Sequence, residues 1–307
     1  MERKPKILVS KCLGFDACRW NGVVIEEQFI KKLSEFVEFV TVCPEVEIGL
    51  GVPRDPIRIV KKDGKNLLIQ HKTEKDITKV MESFSQKFLK SIEKENIDGV
   101  ILKDRSPSCG IKDVKIFSEK NVVIQKGSGF FAKEVVNTFT NIPVESEGRL
   151  NNIYLKENFL TKIFIISRFR NLKKEMKELV KFHSQNKYLF LSYNQKMLRE
   201  LGKIVANHNR DEVKNIFKNY SETLFAGLKN NYRKNSYYNT LLHIWGYFKD
   251  FLNKEEKKFI LKNIEDFKND RIGLLTTLIL LKSYVIRFDI DYLKEQTIFK
   301  PFPEELI

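Results

Sequence analysis

Through the first 150 residues, short apolar runs alternate with amphipathic stretches. "KILVS" (6–10), "EFVTV" (38–42) and "DGVILK" (98–103) read as strands, the first as a buried one with a near-continuous apolar run. "EEQFIKKLSEFV" (26–37) and "EKDITKVMESFSQKFLKSIEKEN" (74–96) have helical spacing. The second aligns Ile77, Val80, Met81, Phe84, Phe88 and Ile92 on one stripe. "IRIVKK" and "NLLIQHK" flank an Asp-Gly pair and predict a hairpin. "NVVIQ" (121–125) predicts a further strand, "SGFFAKEVVNTFT" (128–140) a helix, and "IPVESE" a last short strand. Strands alternating with helices imply an α/β domain with a mostly parallel, Rossmann-like (doubly wound) sheet.

After "EGRLNN" (147–152) the pattern changes to helical spacing almost everywhere. The run "NFLTKIFIISRFRNLKKEMKELVKFHSQNKYLFLSYN" is followed by "MLRELGKIVANH", "VKNIFKNYSETLFAGLKN", "SYYNTLLHIWGYFKDFL", "EEKKFILKNIEDFKN" and "GLLTTLILLKSYVIRF". About six helices joined by short loops are expected, an all-α bundle. The expected division is therefore 1–150, α/β, and 151–307, all-α.

Charge follows the same division. Residues 1–150 hold 26 Lys+Arg against 22 Asp+Glu, a net of +4, and residues 151–307 hold 29 against 18, a net of +11. An excess of that size attracts polyanions, nucleic acid first. No apolar run approaches the ~20 residues a membrane helix needs, and "MERKPKILVSKC" passes from a short basic tip straight into a strand. A cytoplasmic location is expected.

All four cysteines, Cys12, Cys18, Cys43 and Cys109, lie in the first half. Cys12 follows "KILVS" by two residues, Cys43 follows "EFVTV" directly, and Cys109 lies six past "DGVILK" in "DRSPSCG". Parallel strands deliver their carboxyl ends to one edge, where ligand sites of open α/β folds form, so these three cysteines are expected to converge. Each one singly would be an ordinary buried filler. Together they suggest a reactive thiol or a thiolate metal site. A thiol nucleophile wants a histidine base, but His183, His208 and His243 lie in the helical half and His71 ends a hairpin strand. Structural zinc would prefer paired CxxC knuckles, which are missing. Three thiolates on an iron–sulfur cluster would leave one position open for chemistry.

"VSKCLGFDACRWNG", "VCPEVEIGLGVPRDPIRI", "LKDRSPSCG" and "IPVESEGRLNN" together resemble the thiouracil desulfidase (TudS) family. "VKFHSQNKYLFLSY", "LLHIWGYFKDFL" and "PFPEEL" resemble the YbgA-type helical domain often fused behind it, and the fused form is similar to the tRNA 4-thiouridine desulfidase branch. The resemblance implies a 4Fe-4S cluster on Cys12, Cys43 and Cys109, with one iron open to the substrate sulfur. Cys18 departs from a strict three-cysteine pattern and is expected to be a nearby non-ligand.

On this reading Glu45 moves protons, and Ser106 and Ser108 donate hydrogen bonds to the base or to cluster sulfides, Ser106 being the one favoured for the substrate. Asp16, Arg19 and Lys103 orient the pyrimidine or balance the anionic cluster. The activity implied is non-redox, hydrolytic removal of sulfur from a thiolated uracil, 4-thiouridine in tRNA before free thiouracil or a thionucleoside. The rival outside catalysis is a metal- or cluster-bearing RNA-binding sensor. In the helical half, Lys187, Arg233, Lys234 and Tyr237 are expected to contact nucleic acid, with Arg233, Lys234, Tyr237 and Tyr238 between two helices. Tyr247, Phe248 and Phe251 lie at core spacing.

Overall fold

A computed structural model of the chain describes residues 3–307; Met1 and Glu2 of the basic tip lie outside the described residues. The chain divides into two compact units, Met1–Ser167 with Glu304–Ile307, and Arg168–Pro303.

The first unit carries two four-stranded sheets where the sequence suggested one. In the first sheet β1 (Lys6–Ser10), β2 (Glu38–Val42), β5 (Gly99–Leu102) and β8 (Val144–Ser146) run parallel in the order β2-β1-β5-β8. Its central pair is sealed on both faces: Ile7, Leu8 and Val9 of β1 and all four residues of β5 are buried. Gly99 admits close packing there, since a Cβ would meet Ile163 Cγ2 at 2.6 Å and Phe159 Cζ at 3.2 Å. Those two side chains come from the middle of the long helix Ile153–Arg170.

The second sheet has the order β4-β3-β6-β7, from β3 (Ile57–Lys62), β4 (Lys65–Gln70), β6 (Val114–Ser118) and β7 (Val123–Gly127). β3 and β4 form the expected hairpin, with Asp63 and Gly64 both at positive φ as a tight two-residue turn requires. β6 was not anticipated; it pairs parallel to β3 and antiparallel to β7. Between the strands lie α1 (Gln28–Leu33), α2 (Pro44–Glu47), α3 (Thr78–Ser91) and α4 (Phe130–Thr138). The apolar stripe of α3 packs on α4 through Phe84, Phe88 and Phe131, with ring centroids 5.6 to 6.3 Å apart. This aromatic knot joins Leu8, Ile59, Leu68, Met81 and Val135 in one core.

The second unit contains only helices among its described elements. The long predicted run breaks into the helix Ile153–Arg170 (α5), which belongs to the first unit up to Ser167, and then α6 (Met176–Gln185) and α7 (Lys187–Tyr193) of the second. Asn171, the polar run Lys173–Glu175, and Asn186 interrupt it. Then follow α8 (Gln195–Ala206), α9 (Val213–Leu228), α10 (Lys234–Trp245), α11 (Lys254–Lys268), α12 (Leu274–Arg287) and the short α13 (Asp291–Lys294). Asn194 caps α8, and Asn253 with Glu256 forms a capping box on α11. Phe169, Phe182, Tyr220 and Phe190 fill the centre. No described helix is long and apolar enough to cross a membrane.

One close approach bears on the site below. The amino end of α4 docks on the loop after β5, where Phe130 N–H donates to Pro107 O at 3.1 Å and Ala132 N–H to Ser108 O at 3.0 Å. A Cβ on Gly129 would stand 2.5 Å from Ser108 O, and backbone cannot give way as a side-chain tip can. Gly129→Ala is expected to cost about 1–3 kcal/mol by overpacking, read as a lowered urea midpoint with unchanged slope.

Candidate active site

The parallel sheet reverses its order at β1: the chain adds β2 on one side, then returns to place β5 on the other. The crevice beyond the carboxyl ends of β1 and β5 is thus the switch point where an α/β fold has room for a ligand. A cleft of about 400 Å³ opens there. Its walls come from the segments after β1, β2 and β5, and from 54–57 leading into β3.

Cys12, Cys43 and Cys109 all line this cleft, and so does Cys18. All four thiols are free. Cys43 sits at the N-cap of α2, and its Sγ–H donates to the Cys18 carbonyl at 3.6 Å. Burial, reinforced by Cys43, pushes the Cys12 thiol up to about 11, while Lys103 and Arg19 pull against the rise. Burial pushes Cys18 up to about 12 with Cys43 adding, and drives Cys109 far above the ordinary thiol range. Such thiols are protonated at neutral pH, and a metal centre is what displaces their protons.

Among the described residues no three His, Cys, Asp or Glu side chains are gathered tightly enough for a single metal ion. Sulfur donors from three separate segments around a roomy cleft suit a polynuclear iron–sulfur group better than one zinc. The donor chemistry therefore fits the group that the sequence resemblance implies.

Polar groups are arrayed beside the thiols. In the loop after β5, Ser106 Oγ accepts from the backbone N–H of Ser108 at 3.3 Å and of Cys109 at 3.2 Å. Gly110 N–H closes the loop on Ser106 O at 2.8 Å. The Ser106 and Ser108 hydroxyls lie 2.9 Å apart, and Ser108 Oγ–H donates to Glu45 Oε1 at 2.6 Å. The two serines and Glu45 thus form one hydroxyl–carboxylate chain reaching Cys109, whose Sγ is 3.7 Å from Ser108 Oγ.

Arg54 fixes the far end of that chain. Its Nε donates to Glu45 Oε2 at 2.9 Å, Nη1 to Gly51 O at 2.9 Å and Nη2 to Cys18 O at 2.9 Å. Only 3% of its side chain is exposed, against 13% for Glu45. Lys103 is held similarly: its backbone N–H donates to Ser10 Oγ at 2.9 Å and its ammonium pairs with buried Glu147. Glu147 also accepts from Asp104 N–H at 2.7 Å.

Of the expected substrate contacts, Arg19, Lys103, Ser106 and Ser108 line the cleft with Glu45. Asp16 does not: it is exposed and spends its carboxylate on Lys11 at 2.8 Å. In the helical unit, Lys187 and Arg233 are exposed. Lys234 pairs with Asp270. Tyr237 is 3% exposed and packs edge-on against Tyr232 at 4.7 Å, so it belongs to the core and cannot stack on a base. Lys234, Tyr237 and Tyr238 lie within α10, not between helices. Phe248 is buried as its spacing suggested, whereas Tyr247 and Phe251 are exposed.

Sequence reasoning missed Arg54, Glu147 and Trp20. Glu147 follows the end of β8 and could have been found by the strand-edge rule that located the cysteines. Arg54 lies in an irregular segment with no periodicity to mark it.

An α/β unit with free thiols and a serine–carboxylate chain at its switch point defines a candidate sulfur-handling enzyme. Residues 7–147 match the family described as 2-thiouracil desulfurase, and residues 187–303 match a protein family of unknown function, DUF1722. The chain belongs to the 2-thiouracil desulfurase family. It is 34% identical over 154 residues to the uncharacterized protein YbbK of Bacillus subtilis, covering 48% of this chain and 99% of that one. It is 24% identical over 151 residues to the uncharacterized protein YbgA of Escherichia coli, covering 48% and 89%. Among solved structures, the [4Fe-4S]-dependent thiouracil desulfidase TudS is similar at 26% identity and a TM-score of 0.40, over 50% of this chain and 98% of that one.

Removing one partner of a buried, hydrogen-bonded ion pair strands the other charge. Arg54→Met is expected to lower unfolding free energy by about 3–5 kcal/mol, with Glu45→Gln in the same chain recovering part of the loss. A urea double-mutant cycle measures the coupling, and a loss below about 1 kcal/mol would place the pair in the weak, solvent-screened class.

Proposed function

We propose that the chain removes sulfur from a thiolated uracil by hydrolysis, with 4-thiouridine in tRNA as the principal substrate. The observation that carries this reading is the convergence of Cys12, Cys43 and Cys109 on one cleft beside the Ser106–Ser108–Glu45 chain. These three cysteines would hold a 4Fe-4S cluster. Bound by three thiolates, such a cluster would keep one iron free of protein ligands and would supply a Lewis acid for a soft thiocarbonyl sulfur.

The remaining chemistry belongs to the side chains. Water must supply the oxygen that replaces sulfur, so that thione and water become carbonyl and hydrogen sulfide with no net electron transfer. Glu45 Oε1 receives the proton lost by water, through Ser108 Oγ, and returns it to the departing sulfur. Arg54 occupies Oε2 and thereby keeps Oε1 turned to Ser108. Ser106, held by two backbone N–H groups and resting on Ser108 Oγ, turns its hydroxyl to the pyrimidine edge when the base enters. Lys103, steadied by Glu147, sets a positive charge near Cys12 that suits an anionic centre. Cys18 serves as a packing neighbour of Cys43, its carbonyl already shared by Arg54 and the Cys43 thiol.

The +11 balance of residues 151–307 supports RNA as the carrier of the base. Every residue lining the cleft nevertheless belongs to the first unit, which favours free thiouracil or a thionucleoside as the second reading.

Anaerobically reconstituted chain is expected to contain iron and acid-labile sulfide in equal amounts and to release sulfide from thiolated tRNA faster than from the nucleoside. Cys109→Ala should lose iron, sulfide and activity together, while Cys18→Ala keeps its iron content; a Cys109→Ala protein with full iron would remove the assignment. Binding of unthiolated tRNA should weaken steeply with salt, and Lys187→Ala or Arg233→Ala should each shallow the log–log slope by about 1.

A further inference from the structure

The mouth of the cleft is built differently from its floor. Cys109 lies at the floor, whereas Trp20 lines the rim with 46% of its surface exposed. Its mount is firm. Gly22 N–H donates to Arg19 O at 2.9 Å, closing a turn that carries Trp20 and Asn21 at its tip, and Gly22 takes the positive φ of +73° that this turn uses. Arg54 backbone N–H donates to Trp20 O at 2.8 Å, so the arginine that clamps Glu45 also anchors the turn that carries the indole. Val52, itself exposed, stands against the same turn, 3.7 Å from where a Gly22 Cβ would be.

Two cations share the cleft with this ring. Arg19 lines the cleft and has no ion-pair partner among the described residues. Arg105 also lines it, with 81% of its side chain exposed and a single loose contact to Asp104 at 3.5 Å. Arg105 holds a positive φ of 56°, an uncommon conformation for a side-chain-bearing residue. A large half-exposed indole lining the same cleft as two guanidinium groups matches the chemistry of an unpaired nucleotide: a π-face for the base, positive charge for its phosphates.

We infer that Trp20, with Arg19 and Arg105, forms a lip that takes the nucleotide next to the one being processed. The inference rests on the proposed action at a nucleobase. A base that reaches the thiols fills the depth of the cleft and leaves the indole face at the mouth free for its neighbour. Stacking there repays part of the cost of drawing the target base out of its own stack. The α/β unit then recognises RNA in its own right, and a base that continues into a chain binds better than an isolated one.

The test uses the full-length chain in a Trp245→Phe background, which leaves Trp20 as the only indole of the two in the sequence. Uridine, uridine monophosphate and uridine-containing dinucleotides, all unthiolated, are titrated while Trp20 fluorescence is followed. The dinucleotides are expected to quench it and to bind about tenfold more tightly than either monomer, in line with one added base stack. By calorimetry, Trp20→Ala should close that gap to about twofold or less, Trp20→Tyr should retain most of it, and Arg105→Ala should reduce it together with its salt dependence. Equal affinity for monophosphate and dinucleotide, or a gap that persists in Trp20→Ala, would overturn the lip. Sulfide release from a thiolated base is scored separately. A chain that releases sulfide without the dinucleotide gap loses the lip alone; one that releases none loses the proposed activity, and the gap still decides the lip.

Discussion

The carboxyl ends of β2, β1 and β5 must all leave the sheet at one edge, because the strands are parallel and adjacent. Everything chemical in the first unit depends on that constraint. Cys43, Cys12 and the Ser106–Cys109 loop are far apart in the chain, yet each is the next thing the backbone does after one of these strands. The tight burial of β1 and β5 holds the registers fixed, so the position of each sulfur is inherited from the most rigid part of the molecule. Glu147 arrives by the same rule at the end of β8 and turns its carboxylate to Lys103.

Rigid strands place the loops, but a second set of contacts keeps the loops from relaxing. Arg54 is the busiest of these, bonding the Glu45 carboxylate, the Gly51 carbonyl and the Cys18 carbonyl with one planar group. A guanidinium suits this task because its donors are fixed in a fork, where a lysine would offer one movable charge. On the other wall, α4 secures the serine loop through backbone bonds that need glycine at position 129. The site therefore comes preorganised, with its hydroxyls and carboxylate already paired in one direction.

Much of this was legible from the amino acids. "KILVS" announces a buried strand and "DGVILK" a second strand, and the strand-edge rule brings their cysteines together from the sequence alone. The hairpin was legible because Asp-Gly permits few other turns. β6 was not: "VKIFS" is too short and too mixed to stand apart from its loops, and its pairing with β3 across fifty residues is a tertiary fact. Without it, two sheets read as one. Aromatic residues in the helical half misled for a related reason. Spacing says which face of a helix a ring occupies but not what covers that face, so Tyr237 proved internal while Phe251 proved open. Asp16 and Arg54 illustrate the same limit for charge, since only the fold decides that one meets Lys11 at the surface and the other Glu45 in the wall.

The helical unit carries most of the excess positive charge, while the thiols, the proton-handling groups and the aromatic lip all sit in the α/β unit. The central claim is that Cys12, Cys43 and Cys109 grip one iron–sulfur group. It is tested most directly by anomalous diffraction at the iron edge from crystals grown without oxygen. The account predicts a single compact iron peak bonded to those three sulfurs and to no fourth cysteine. Zinc, an empty cleft in reconstituted protein, or iron held by Cys18 in place of one of the three would contradict it.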